Sequence, residues 1–175
     1  MIAELKFTNA LVVDGSGAEG FAADLAVEGG LIAAVGDLRG VSARREIDCR
    51  GRVLCPGFVD MHGHSDYFLL VLPSADSKLK QGITTEVGGN CGYSAAPVKG
   101  AVAEDRRTSH RELYGLEVDW ESFEEYLSRL AAARPAINFA PLIGFNTIRA
   151  SAGALGKEPP SPAQLDQMKA MIRES

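Results

Sequence analysis

The spacing of apolar positions divides the chain into two parts with different patterns. In the first part, up to about residue 54, short apolar runs are separated by glycine-rich turns. These runs lie at residues 5–13, 24–27 and 31–35. The Gly29-Gly30 pair between the last two runs is typical of a hairpin, because glycine accepts the positive φ angles that two-residue turns require. From Pro56 onward, apolar strands alternate with helical patterns, which is the order that predicts βα units and a parallel sheet.

We therefore predict an α/β chain with two domains, a small β-sandwich-like domain at residues 1–55 and a series of βα units at residues 56–175. A sheet with as few strands as the first domain offers is marginal in water, so we expect strands from elsewhere to complete it. In the second domain the apolar runs predict strands at residues 57–61, 83–87 and 137–143. The helical patterns predict helices near residues 74–81, 120–133 and 161–173.

Capping residues and charge distinguish the predicted helices from the loops. Ser161 is expected to cap the last helix, with Pro162 at its first position and Gln164 at its third. Asp119 is expected to cap the helix before it. The stretch 99–118 is polar with charges of both signs, and it therefore predicts an exposed excursion between a strand and a helix.

The length of the second domain limits how much of a barrel it can form. A closed eight-stranded βα barrel takes about 250 residues, whereas only about three βα units fit between Pro56 and Ser175. We therefore expect this chain to be a fragment of a longer protein. Its unpaired strand edges and apolar faces would then make the fragment associate with itself or dissolve poorly.

Composition and charge exclude several classes of partner. The 175 residues are 46% hydrophobic and carry a formal net charge of -5, with no run of like charges. Nucleic acids and anionic membranes are therefore not expected as partners, whereas a small molecule is. The chain begins without the charged and apolar regions of a signal peptide, and no apolar stretch reaches the roughly 18–20 residues that span a bilayer. We expect a soluble cytoplasmic protein.

The three cysteines, at positions 49, 55 and 91, are an odd number in a chain without a recognisable secretory signal. A disulfide framework is therefore not expected, and reduced thiols or a metal ligand are favoured instead. Cys49 and Cys55 do not lie at the C-terminal ends of predicted strands, so we expect both of them to serve only in packing.

The segment His62-Gly63-His64 has the most chemical content. If the preceding strand continues through it, the two-residue period places both imidazoles on one face, with Cα atoms roughly 6.6 Å apart. A catalytic zinc needs about three protein ligands, so the pair supplies one arm of a site that other residues must complete. The alternative is a pair of surface or strand-capping histidines. Nearby Asp66 either orients one of these histidines or faces solvent.

Cys91 is the candidate for a third ligand. It follows the strand predicted at 83–87, after Gly88 and Gly89. Catalytic groups in parallel sheets lie at the C-terminal ends of strands, so Cys91 and the two histidines are expected to meet at one edge. A thiol binds a divalent cation as the thiolate, which is a strong ligand for zinc. The alternative is a small buried cysteine that serves only in packing.

Two segments carry a resemblance to a known family. Residues 46–51 and 53–66, which include the histidine pair, resemble the start of the amidohydrolase superfamily. A second segment resembles the N-acyl-D-amino-acid deacylases, or D-aminoacylases, and reads Gly88-Gly89-Asn90-Cys91-Gly92-Tyr93-Ser94-Ala95-Ala96-Pro97. The resemblance implies a metal-dependent (β/α) TIM-type barrel, incomplete in this chain, flanked by a β-domain built from both ends of the protein. It also implies hydrolysis of the linear amide of an N-acyl-D-amino acid.

The same resemblance implies the composition of the metal site. His62 and His64 would be ligands of one or two zinc ions, and Cys91 would take the metal-bridging position that a carboxylated lysine fills in many relatives. Two later histidines and a late aspartate, which serves as general base, would complete the site beyond Ser175. Side chains near the ligands would orient them or contact substrate, and these are Asp66, Asn90 and Ser94.

Two residues receive no role from this resemblance. His110, the third histidine, lies in the polar excursion and not at a strand end, so we expect it on the surface. Phe145 stands after Gly144, where the family usually has a histidine, so no substrate-binding role is transferred to it. Without the later ligands and the base, we expect this polypeptide alone to be inactive.

Two alternative functions remain open at this point. One is another amide or cyclic-amide hydrolase of the same superfamily, similar to dihydroorotase or hydantoinase. Most of those enzymes would have a lysine ligand in place of Cys91, which favours the deacylase. The other is a non-catalytic homologue that keeps the histidine pair as a structural relic or a metal-storage site.

Overall fold

The computed structural model describes residues 2–175, which divide into two compact units, one up to Pro56 and one from Gly57. The first unit is a five-stranded sheet with strands β1 (Ile2–Val12), β2 (Phe21–Glu28), β3 (Leu31–Gly36), β4 (Ser42–Asp48) and β5 (Val53–Leu54). Strand β1 pairs antiparallel with β2 and parallel with both β4 and β5, while β3 pairs antiparallel with β2. The long first strand therefore organises the sheet.

Local sequence accounts for the hairpin of this sheet but not for its fourth strand. Gly29 (φ 59°) and Gly30 (φ 75°) connect β2 to β3, so the predicted hairpin is confirmed. The hydrophobic pattern does not predict β4, because most of its side chains are polar and exposed. This strand forms by parallel pairing with β1, where Phe7 lies opposite Ile47. Such pairing depends on context more than on intrinsic preference.

The second unit is a three-stranded parallel sheet with helices between consecutive strands, so the α/β prediction is confirmed. Its strands, in their order across the sheet, are β6 (Phe58–Asp60), β7 (Ile83–Gly88) and β8 (Asn138–Pro141). Its helices are α1 (Phe68–Val71), α2 (Asp76–Leu79), α3 (Gly100–Tyr114), α4 (Phe123–Ala133), α5 (Phe145–Ser151) and α6 (Pro162–Glu174). Within residues 2–175, no helix has the length and apolar character needed to cross a membrane.

The helix expected near residues 74–81 is present but shorter, as α2 (Asp76–Leu79), and the separate helix α1, which ends at Val71 before Pro73, was not predicted. One prediction for this unit was wrong. The stretch 99–118, expected to be an exposed excursion, contains the 15-residue helix α3. Only Ala103 and His110 of this helix are buried, which is too weak an apolar pattern to reveal a helix in the sequence.

Capping boxes begin α4 and α6. Ser161 Oγ accepts a hydrogen bond from Gln164 N at 3.3 Å, and Gln164 Oε1 accepts one from Ser161 N at 2.9 Å, so the predicted cap of α6 is confirmed. The prediction that Asp119 caps α4 was wrong. Ser122 caps this helix and forms the box with Glu125, whose carboxylate accepts from Ser122 N at 2.9 Å.

The largest core cluster gathers residues of α1, α3 and α4 and of the loop after β7. Two fully buried aromatic residues in it also hold the backbone near the strand ends. Trp120 Nε1 donates to Ala95 O at 2.9 Å, and the Tyr126 hydroxyl donates to Asp66 O at 2.8 Å. Helix α4 and the loop before it are therefore hydrogen-bonded directly to the loops that follow β6 and β7.

Candidate metal centre

The candidate site lies past the C-terminal ends of two neighbouring parallel strands. Strand β6 ends at Asp60 and leads into the loop that carries His62 and His64, whereas β7 ends at Gly88 and is followed by Cys91. Cys91 Sγ lies 3.2 Å from His62 Nε2 and 3.7 Å from His64 Nε2. The fold thus brings together the three side chains that the sequence pattern singled out.

The histidine pair lies in a loop and not in a strand. Because β6 ends two residues before His62, the two-residue strand period does not explain how the rings come together. The rings are nevertheless adjacent, with centroids of His62 and His64 5.4 Å apart and planes inclined by 68°. The loop conformation, not the strand, sets this arrangement.

The donor set fits a zinc ion. One ligand atom from each of His62, His64 and Cys91 can be chosen so that all lie within 4.8 Å of one another, and no other such group occurs within residues 2–175. In a tetrahedral site, typical Zn–N and Zn–S bond lengths place a nitrogen and a sulfur ligand about 3.6 Å apart. The N–S separations of 3.2 Å and 3.7 Å are close to that value. All three side chains are exposed, so further ligands can reach the same point.

The loop after β7 turns sharply to present the cysteine. Gly89 (φ 73°), Cys91 (φ 55°) and Gly92 (φ 80°) all have left-handed backbone conformations. This conformation costs a residue with a side chain roughly 1–2 kcal/mol. The cysteine is therefore held in a strained conformation by its surroundings, which is frequent among residues at functional sites.

Asn90 holds the cysteine loop and the histidine loop together. Its Nδ2 donates to Gly63 O at 3.0 Å and to Val87 O at 2.7 Å. Gly63 N in turn donates to Val87 O at 2.9 Å, and His62 N donates to Asp60 Oδ1 at 3.1 Å. The Asn90 amide nitrogen is thus used to fix the distance between the two loops.

Ser94 connects the cysteine loop to the third strand end. Its buried hydroxyl donates to Ala96 O at 2.6 Å and accepts from Gly144 N at 3.0 Å. Its backbone N–H donates to Thr147 Oγ1 on α5 at 2.9 Å. The hydroxyl is therefore occupied by backbone partners from both loops.

Asp66 is 5% exposed, so its side chain does not face solvent. Its Oδ1 has no hydrogen-bond partner among residues 2–175. Burial raises the pKa of the Asp66 carboxyl above its ordinary value, although a hydrogen bond from the Gly89 backbone opposes the rise. A buried carboxylate oxygen without a partner is uncommon, so we expect a group outside the described residues to satisfy it.

The sequence pattern does not single out two charged residues near the histidine loop. Glu86 on β7 is fully buried, and Lys78 on α2 places its Nζ 3.1 Å from Glu86 Oε2 and 2.6 Å from Asp60 Oδ2. Partial burial lowers the pKa of Lys78, but its hydrogen bonds to both carboxylates outweigh this and raise the pKa. The signal in the sequence was a glutamate inside the otherwise uncharged strand segment 83–88.

His110 is 7% exposed, so the prediction that it lies on the surface was wrong. Its ring packs against that of Tyr67 with centroids 4.0 Å apart, and burial lowers its pKa. It also lines a cavity of about 180 Å³ that is lined by one candidate metal ligand, His64. The residues around this cavity are His64, Asp66, Tyr67, Tyr93, Ser94, Arg106 and His110. A small molecule in the cavity would contact His64.

Among residues 2–56, the described part of the first unit, there is no comparable donor set. Cys49 is buried, which confirms its predicted packing role, but Cys55 is exposed, so the same prediction for Cys55 was wrong. A larger cavity of about 730 Å³ is lined entirely by residues of this unit, and no histidine or cysteine is among them. Although this cavity is larger, it is therefore not a candidate zinc site.

The sequence of this chain matches the amidohydrolase family over residues 45–175. The D-aminoacylase of Alcaligenes xylosoxydans xylosoxydans is 38% identical over 154 residues, which cover 85% of this chain and 30% of that protein. The N-acyl-D-glutamate deacylase of the same organism is 35% identical over 172 residues, which cover 98% of this chain and 35% of that protein. The chain thus spans about a third of the length of these curated relatives.

A solved structure agrees with these sequence relatives. It is an N-acyl-D-glutamate deacylase from Bordetella bronchiseptica in complex with zinc and a phosphonate inhibitor that mimics the tetrahedral intermediate of the reaction. It is 35% identical to this chain and superposes with a TM-score of 0.84, covering 99% of this chain and 36% of that one. The similarity therefore extends over both units.

Proposed function

The chain belongs to the amidohydrolase family, and on that premise we propose that it is the N-terminal part of a zinc-dependent hydrolase that cleaves the linear amide of N-acyl-D-amino acids. The observation that carries the proposal is the convergence of His62, His64 and Cys91, with N–S separations of 3.2 Å and 3.7 Å, at the edge of a parallel sheet. Two deacylases with 35–38% identity support the choice of substrate class. The activity proposed is that of the whole protein.

The three side chains would act as ligands of the zinc ion. His62 and His64 would bind through ring nitrogens, and Cys91 would bind as a thiolate. When bound there, zinc would polarise an amide carbonyl and make water a competent nucleophile near neutral pH. We assign no general base among residues 2–175.

The neighbouring residues would hold the three ligands in this arrangement. Asn90 fixes the spacing of the two ligand loops, and Ser94 fixes the cysteine loop to the loop after β8. The buried carboxylate of Asp66, with its free Oδ1, would orient a group that enters the site from outside residues 2–175. The cavity beside His64 would give an amide substrate access to that ligand.

The test is an assay of the whole protein loaded with zinc. We expect it to release free amino acid from N-acyl-D-amino acids and to leave the L enantiomers intact. Removal of metal with a chelator should abolish this release, and added zinc should restore it. Free amine is measured by derivatisation, and elemental analysis of the same samples gives the number of zinc ions per chain.

Cyclic amides such as hydantoins and dihydroorotate serve as the control substrates. Turnover of these compounds without release of D-amino acids would contradict the deacylase proposal while keeping a hydrolase of the same family. Zinc-loaded protein that cleaves neither class would contradict the proposal of a hydrolase and favour a non-catalytic homologue.

A further inference from the structure

A buried carboxylate supports the loop that carries the histidine pair. Glu86 on β7 is 0% exposed, and both of its oxygens are directed at this loop. Oε1 accepts from Ser65 N at 2.9 Å, and Oε2 accepts from Ser65 Oγ at 2.8 Å. Ser65 directly follows His64, so the Glu86 carboxylate holds the backbone beside one candidate ligand.

The loop fits around Glu86 without spare room. A Cβ added to Gly63 would overlap the Glu86 carboxylate and also meet its Cγ. Gly63 lies between the two histidines, so the backbone that carries both rings packs against the Glu86 side chain. Glycine is required at this position by space and not by backbone angle.

Lys78 supplies the charge that allows a carboxylate to be buried here. Its ammonium group contacts Glu86 Oε2 at 3.1 Å and Asp60 Oδ2 at 2.6 Å. Asp60 is adjacent to Glu86 in the sheet register, and its other oxygen accepts from His62 N at 3.1 Å. The two carboxylates thus hold the loop on either side of the histidine pair, and a single cation links them.

We propose that Glu86, paired with Lys78, is a positioning residue that pre-arranges His62 and His64 for zinc. The inference rests on the proposed zinc site but assigns Glu86 no contact with metal or substrate. Replacement of a residue that orients a metal ligand typically weakens metal binding about 10–100-fold. The Ser65 hydrogen bonds and the contact with Gly63 are the means by which Glu86 would act.

The zinc dissociation constant of the whole protein tests the proposal. Glu86→Gln keeps the side-chain shape, but it offers one acceptor oxygen where three donors converge and turns an NH₂ group toward the others. We expect it to weaken zinc binding about 10–100-fold in competition with a chromophoric chelator. Ser65→Ala removes only the hydroxyl, and we expect it to fall at the lower end, about 10-fold. If Glu86→Gln does not fold, Ser65→Ala carries the test.

The matched control is Leu130→Ala on α4, which opens a cavity in the largest core cluster. It should lower the melting temperature at least as much as Glu86→Gln and leave the zinc dissociation constant unchanged. Wild-type affinity in both Glu86→Gln and Ser65→Ala would overturn the positioning role, while a hydrolytic, zinc-binding wild type would leave the proposed function intact. A wild type that binds no zinc would overturn both.

A second measurement needs no metal. In zinc-free protein, Gly63→Ala should lower the melting temperature strongly when Glu86 is present and weakly in a Glu86→Ala background, because the clash has then been removed. Equal effects of Gly63→Ala in the two backgrounds would show that Glu86 does not support the loop and would overturn the inference without reference to activity.

Discussion

Replacement of Cys91 by alanine is expected to remove tightly bound zinc and hydrolytic activity together. The sulfur lies within 3.7 Å of both ring nitrogens, so its loss removes one of three ligands at the point where they meet. The zinc dissociation constant should increase by more than the 10–100-fold that the loss of a supporting contact costs. Chelator competition and elemental analysis of the purified variant measure this effect, alongside release of D-amino acids.

The other two cysteines provide matched controls for Cys91→Ala. Cys49→Ala removes a buried thiol and should lower the free energy of unfolding by about 1–2 kcal/mol without changing zinc content. Cys55→Ala changes an exposed side chain and should alter stability by no more than about 0.5 kcal/mol. Full zinc content in Cys91→Ala would show that the exposed Cys91 is not a zinc ligand.

Cys91→Gly distinguishes the loss of the ligand from the effect of backbone strain at this position. Cys91 has φ 55°, a conformation that glycine adopts freely and alanine does not. Zinc-free Cys91→Gly should therefore be more stable than zinc-free Cys91→Ala by roughly 1–2 kcal/mol, although both lack the ligand. The difference in the free energy of unfolding between the two variants measures the backbone strain of holding a residue with a side chain at this turn.

The meeting of His62, His64 and Cys91 was predictable because it follows from two local properties. Each group comes directly after an apolar run that is typical of a strand, and the C-terminal ends of parallel strands share one edge. The alternation of strands and helices, which predicts the parallel sheet, is also readable in a short window of sequence. The detailed reason for the adjacency of the two rings was not predictable, because the loop beyond β6 sets it.

The features that the sequence did not reveal depend on contacts between distant segments. Glu86 is read as an ordinary polar residue until β7 is placed beside β6 and Lys78 is brought to it from α2. Helix α3 has few buried side chains, and the ring of His110 packs against that of Tyr67, which lies just before α1. Strand β4 likewise exists through pairing with β1. Local pattern contains no information on these partners.

Gly89→Ala is expected to disrupt the site through its backbone. Gly89 has φ 73°, and an added Cβ would overlap the carbonyl group of Leu142, which follows β8. The backbone of Leu142 is itself fixed, since its N–H donates to Gly88 O at 3.0 Å. We expect a loss of about 2–5 kcal/mol in the free energy of unfolding, from the left-handed backbone together with the overpacking. Chemical denaturation of the zinc-free protein measures it.

Gly115→Ala is the control that isolates the overlap. Gly115 ends α3 with φ 63°, close to the angle of Gly89, but a Cβ added there meets no atom within 4 Å among residues 2–175. Its substitution should therefore cost only the roughly 1–2 kcal/mol of left-handed strain and leave zinc affinity unchanged. Gly89→Ala should lose more stability and also bind zinc more weakly, because Cys91 lies two residues beyond the displaced backbone. Equal losses in the free energy of unfolding in the two variants, with zinc affinity unchanged, would show that the cysteine loop does not depend on its close contact with the Leu142 backbone.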